Sequence, residues 1–152
     1  MYERKYVSPV GDLFLTSDGT VLTGLYMEVP AFCEDGECPV LDRAQAWLDD
    51  YFRGYIRPAD FPLSPRGTAF QQRVWEQLKS IPYGTVCTYG DIAREIGCRS
   101  AQAVGQAVGA NPISILIPCH RVIGTKGKLT GYAWGIEKKK WLLEYEKRHS
   151  AV

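Results

Sequence analysis

The sequence predicts an α+β chain: a small N-terminal lobe of antiparallel sheet plus helix, and a mainly helical C-terminal lobe with a helix-turn-helix. Three patterns carry this expectation. The first 30 residues alternate apolar and polar side chains around turn signals, residues 44–52 repeat apolar positions at helical spacing, and residues 89–110 hold two short helical segments divided by Gly97-Cys98-Arg99.

In chain order, Val7, Leu13, Phe14, Leu15, Val21, Leu22, Leu25 and Tyr26 are separated by Pro9-Val10-Gly11 and Ser17-Asp18-Gly19, which reads as short antiparallel strands. The stretch from Pro30 to Pro39 is polar and loop-like. Ala44, Trp47, Leu48, Tyr51 and Phe52 fall on one helical stripe that ends near Gly54, and Arg57 to Arg66, with three prolines, reads as a linker. The expected division is therefore residues 1–64, strand-rich with its linker, and residues 65–152.

A second helix starts at Thr68, whose spacing to Gln71 is that of a capping box, and Ile81-Pro82-Tyr83-Gly84 ends it. Ser100 is the expected cap of the second helix of the pair. That helix carries Ala101, Ala103, Gly105, Ala107, Gly109 and Ala110, so it either presses its backbone against a ligand such as DNA or packs tightly on a neighbour. The apolar run Ile113, Ile115, Leu116, Ile117 reads as a buried strand or extended segment delivering Pro118-Cys119-His120. A last helix, from about Ile136 to Arg148, is expected to turn Leu142 and Leu143 inward and Lys138, Lys139 and Lys140 outward.

Charge narrows the function. The net charge of +1 conceals five Lys/Arg against eleven Asp/Glu in residues 1–64, and thirteen against six in residues 65–152. The C-terminal part thus suits a polyanion. Charged n-region, apolar h-region and membrane-length apolar run are all missing from the sequence, so a cytoplasmic protein is expected. Cys33, Cys38, Cys87, Cys98 and Cys119 are an odd set, which argues against a disulfide framework, and Cys33 with Cys38 is too loosely spaced for an expected metal site.

A cysteine beside a histidine is more often structural than reactive. Here Pro118 offers no N–H to a strand, which points to an exit from the strand at that position, and the apolar segment before it holds the thiol rigidly. His120 supplies a base, which a thiol of ordinary pKa near ~8.5 needs at neutral pH.

Ile117-Pro118-Cys119-His120-Arg121-Val122 resembles the signature of the O6-alkylguanine-DNA alkyltransferases. The resemblance extends through Gly67-Thr68-Ala69-Phe70-Gln71, Ile81-Pro82-Tyr83-Gly84, Thr88-Tyr89, Asn111-Pro112, Gly131-Tyr132 and Leu142-Leu143 to Glu146. It implies direct-reversal DNA repair: a single-turnover protein that flips O6-alkylguanine from duplex DNA and moves the alkyl group irreversibly to its own Cys119. O4-alkylthymine is a further possible substrate. No cofactor, metal or membrane is implied, and a monomer is expected.

By the same resemblance His120 takes the thiol proton through a water, Glu146 orients the imidazole, and Tyr89 crowds the target phosphate and donates to N3 of the purine. Tyr132 and the backbone of Ala133 line the pocket, carbonyls near Cys119 and Val122 accept from the exocyclic amine, Arg121 joins the DNA-binding set, and Asn111 fixes the turn before the active-site segment. Two positions depart from the family pattern. Gln102 stands where most members carry an arginine that replaces the flipped base, which implies slower extrusion. Trp134 stands in a loop that is usually glycine-rich; it either narrows the pocket rim against bulky adducts such as O6-benzyl or stacks outside.

Three other readings remain at this level: an alkyltransferase-like lesion sensor without transfer, a helix-turn-helix regulator, and a cysteine hydrolase. The sensors carry another residue at the position of Cys119, the small uncharged second helix disfavours a regulator, and a hydrolase would turn over many times.

Overall fold

The computed structural model describes residues 1–28, 36–129 and 131–150. Cys33, the Pro30–Asp35 part of the expected loop, and Thr130 lie outside them. The chain forms two compact units, Met1–Arg66 and Gly67–Val152.

In the first unit, β1 (Tyr2–Ser8), β2 (Gly11–Ser17) and β3 (Leu22–Tyr26) make an antiparallel sheet in that order. The β1–β2 turn is the two residues Pro9-Val10, and the Ser8 hydroxyl closes it by donating to the Gly11 carbonyl at 2.6 Å. Period-two alternation puts Leu13 and Leu15 on the inner face, where helix α1 (Pro39–Tyr51) covers them with Val40, Leu41, Ala44 and Leu48. Each leucine so enclosed contributes about 1.5–3 kcal/mol. The proline-rich stretch expected to be a linker belongs to this unit. Leu22 donates to the Pro62 carbonyl and accepts from the Ser64 N–H, both at 2.9 Å, and Phe61 is buried.

In the second unit, α2 (Ala69–Leu78) opens on the complete Thr68–Gln71 capping box, and α3 (Tyr89–Ile96) opens on another formed by Thr88 and Asp91. Gly97 ends α3 with a φ of 71°, and Ser100 caps α4 (Ala101–Gly109). Val104, Ala107 and Val108 bury one face of α4 against α2 and α3, leaving Ala101, Gln102 and Gly109 exposed on the other. Small residues thus serve packing on one side and an open surface on the other. The Trp75 indole donates to the Ala107 carbonyl at 2.8 Å and ties α2 to α4.

Two short strands, β4 (Cys87–Thr88) and β5 (Val122–Ile123), pair in parallel, a contact that their length hides from sequence patterning. The apolar run before Pro118 is not a strand. Ile117 donates to the Ile113 carbonyl at 3.0 Å, Ile115 adopts a φ of 71°, and among the described residues the segment belongs to no strand, with only an isolated bridge at Ile113. Its backbone groups are satisfied locally by Asn111, so a tight loop replaces the ladder. The last helix, α5 (Ile136–Ser150), packs on the turn at Cys119–Arg121.

Candidate active site

Cys119, His120 and Arg121 form one turn of 3-10 helix directly after Pro118. The chain therefore leaves the preceding segment at Pro118 into a helical turn. The Asn111 amide donates to the Ile117 carbonyl at 2.8 Å while its oxygen accepts from the Ile113 N–H at 3.0 Å, so one side chain folds the loop that presents the sulfur. Cys119 keeps 4 % of its surface exposed, and its Sγ lies 3.9 Å from the Ser114 hydroxyl. Burial pushes the thiol up; hydrogen bonds from Asn111 and Ser114 and the charge of Lys139 act against that rise.

His120 is fully buried, with Nε2 2.7 Å from Glu146 Oε2. Arg121 grips the same carboxylate with Nε at 2.7 Å and Nη2 at 3.0 Å. Burial alone would raise Glu146, but hydrogen bonds and charges from His120 and Arg121 outweigh it and hold the carboxyl at about 2. An ionised carboxylate only accepts, so the proton between the two groups sits on Nε2 of the imidazole. Nδ1 is then the basic nitrogen, and it is buried without a hydrogen bond from any described group. Desolvation depresses His120, opposed by Glu146. The imidazole is therefore neutral, correctly tautomerised and able to take a proton.

Arg121 was expected among the DNA-binding residues. It is instead buried, donating to Glu146 and, through Nη1, to the Ile81 carbonyl at 2.8 Å, with its guanidinium 5.4 Å above the Tyr83 ring. Three of its five N–H donors are engaged on these partners, and its burial turns the fork away from a phosphate on the surface.

Tyr89 begins α3, and its ring runs beside Gly105 of α4, where a Cβ would stand 3.7 Å from it. A Cβ on Gly131, itself at a φ of 57°, would lie 3.9 Å from the Tyr89 hydroxyl. The Tyr132 hydroxyl is buried, and burial followed by the Cys119 charge raises its pKa against the opposing effect of the Ser114 hydroxyl. Trp134 meets the Tyr132 ring at 5.9 Å and a tilt of 59°, half-buried, while Ala133 is exposed. The Val122 side chain is in the core, leaving only its backbone for recognition. Gln102 is exposed in the first turn of α4.

The lysines expected to face outward divide. Lys139 has no exposed surface, and its ammonium lies 5.8 Å above the Tyr89 ring. The signal for this was its spacing: 139, 142 and 146 share one helical face with Leu142 and Glu146. Cys87, half-buried, is pushed up to about 11 by desolvation and then by Asp91, which keeps it protonated. Among the described residues no group of His, Cys, Asp or Glu is placed to hold a metal ion, and no helix is long and apolar enough to cross a membrane.

Residues 69–148 match the family model of the 6-O-methylguanine DNA methyltransferase DNA-binding domain. The methylated-DNA–protein-cysteine methyltransferase of Haemophilus influenzae is 42 % identical, with 97 % of this chain and 87 % of that protein covered. Its counterpart in Mycobacterium bovis is 46 % identical, covering 97 % and 93 %. The crystal structure of Mycobacterium tuberculosis OGT in complex with DNA superposes with a TM-score of 0.90 at 46 % identity, covering 98 % of this chain and 94 % of that one.

Proposed function

The chain belongs to the methylated-DNA–protein-cysteine methyltransferases, and from that premise we propose that it flips O6-alkylguanine out of duplex DNA and transfers the alkyl group once, irreversibly, to Cys119. Its activity is DNA repair by alkyl transfer to a protein cysteine, and its partner is DNA. The observation that carries the finer reading is the buried order around the sulfur: a neutral imidazole beside Cys119 whose Nε2 is tied to ionised Glu146 and whose Nδ1 is left basic.

In this reading Nδ1 of His120 takes the thiol proton through a water, and the sulfur attacks the alkyl carbon. The S–C bond forms as the C–O6 bond breaks, and the electron pair moves onto the purine, where the Tyr89 hydroxyl donates to N3. Thiol plus O6-alkylguanine become thioether plus guanine, with the thiol proton replacing the alkyl group. A thioether has no good leaving group, which makes the event single. Tyr132, Trp134, the backbone of Ala133 and the Val122 carbonyl line the purine pocket, and Asn111 holds the loop that aims the sulfur. Exposed Gln102 enters the stack vacated by the base, with the small outer face of α4 against the groove. Most affinity comes from phosphate contacts and weakens with salt.

The test is an oligonucleotide carrying O6-methylguanine, followed by the intact mass of the protein. A gain of one methylene per molecule, absent in Cys119→Ala, is expected. Tight binding at unchanged mass means a lesion sensor instead, and guanine release in excess of protein means a hydrolase.

A further inference from the structure

Ser114 is the polar member of the apolar run that leads to Pro118, and it is buried at 2 % exposure among Ile113, Ile115 and Ile117. The loop is folded without its side chain. Asn111 meets the Ile113 N–H and the Ile117 carbonyl, and the Leu116 N–H donates to the Ser114 carbonyl at 2.9 Å. A buried hydroxyl is unfavourable unless it is hydrogen-bonded. Its partner here is the reacting sulfur: Cys119 Sγ donates to Ser114 Oγ at 3.9 Å, in a buried contact. We propose, resting on the transfer reading above, that Ser114 is a catalytic residue, a hydroxyl that accepts from the Cys119 thiol at rest and rotates to donate to the thiolate as the proton leaves.

The physical asymmetry of that contact gives it a role in the reaction. A thiol is a weak donor, so the resting bond is long; a thiolate is an anion, and a hydroxyl bound to an anion sits closer and about twice as strongly. The contact is therefore stronger once the sulfur is charged than before, which is the condition for speeding a step. Ser114 keeps its own proton throughout, while the thiol proton passes to Nδ1 of His120. The loop holds the hydroxyl in place: Ile115, directly after it, has a φ of 71°, a conformation that a β-branched residue keeps only where its surroundings enforce it. The other groups acting on the sulfur differ in kind. Burial pushes the thiol up, Asn111 commits its amide to the Ile113 and Ile117 carbonyls at 3.5 and 2.8 Å, Lys139 acts by charge from α5, and the Tyr132 hydroxyl is itself raised by the Cys119 charge.

Titration of the sulfur tests this without DNA. In protein labelled with 13Cβ-cysteine, Ser114→Ala should raise the Cys119 midpoint by about one pH unit over wild type, and Ser114→Thr, which keeps a hydroxyl, should leave it within about 0.3 unit. An unmoved midpoint in the Ala variant, or a Thr variant that shifts as far as Ala, overturns the proposal. In single-turnover transfer from O6-methylguanine DNA at pH 7, Ser114→Ala should be about 10-fold slower while its affinity for the same duplex stays within about 2-fold, and Ser114→Thr should transfer within about 3-fold of wild type. Equal losses of rate and affinity, or a Thr variant as slow as Ala, mark a packing role and overturn it. A wild type that gains no methylene sinks the repair reading itself, whereas a wild type that transfers beside an unmoved Ser114→Ala midpoint sinks only the role of Ser114.

Discussion

Arg121 holds Glu146 by both carboxylate oxygens, Nε to Oε1 at 2.7 Å and Nη2 to Oε2 at 3.0 Å, and the carboxylate is almost wholly out of solvent. The pair joins the reactive turn to α5 and, through the Ile81 carbonyl, to the end of α2. Removing one partner leaves the other charge buried. Arg121→Met should therefore cost about 3–5 kcal/mol in urea unfolding. Salt-weakened DNA binding with unchanged stability would instead return Arg121 to the DNA surface.

The pH dependence follows from the two shifts at the relay. Glu146, held at about 2, stays ionised at every pH where the protein works. His120 is depressed below its ordinary value near 6.5, so Nδ1 remains a base at neutral pH and is lost only as pH falls through that lower value. The single-turnover rate should decline on the acid side below pH 6.5, and His120→Ala should lower the plateau by about 10²–10⁴. A rate already falling between pH 8 and 7 contradicts this assignment.

Acid stability has its own sign. A depressed carboxylate stabilises the fold above its unfolded value of 4.5, and that contribution disappears as pH falls towards 2; a depressed histidine likewise stabilises above 6.5 and loses its contribution below. Thermal midpoints should fall steadily from pH 6.5 downward in the wild type. In Glu146→Gln the loss between pH 4.5 and 2 should be smaller.

Asn111→Ala removes the partner of two buried backbone groups, the Ile113 N–H and the Ile117 carbonyl. Each orphaned group costs about 1–3 kcal/mol. The loop carrying Cys119 should loosen, slowing transfer more than DNA binding, as separate rate and affinity measurements would reveal. Equal losses in both would move Asn111 from aiming the sulfur to supporting α4.

Gln102→Arg supplies the charge and stacking plane that Gln102 lacks at the exposed start of α4. Recovering about 1 kcal/mol of a flipping cost of a few kcal/mol corresponds to roughly a five-fold faster single turnover. An unchanged or slower rate refutes the idea.

Where local rules decide structure, the sequence was readable. The capping box at Thr68, the Ser100 cap and the strand alternation through Leu13 and Leu15 all appear as expected. It misled where tertiary context overrules composition. Ile113–Ile117 has strand propensity but folds as a loop because Asn111 meets its backbone needs. Lys139 sits in a basic run yet points inward, because the buried face of α5 is set by Leu142 and Glu146. Arg121 looks like a phosphate ligand until Glu146, twenty-five residues away, is seen to occupy its fork.

The bond from the Trp75 indole to the Ala107 carbonyl has an optical consequence. Trp75, at 1 % exposure, is the tryptophan anchored on the helix expected to lie in the groove. Its emission wavelength should report any slackening of that helix, making the protein its own fluorescent gauge of docking and release, readable in a variant whose Trp47, Trp134 and Trp141 are replaced by phenylalanine.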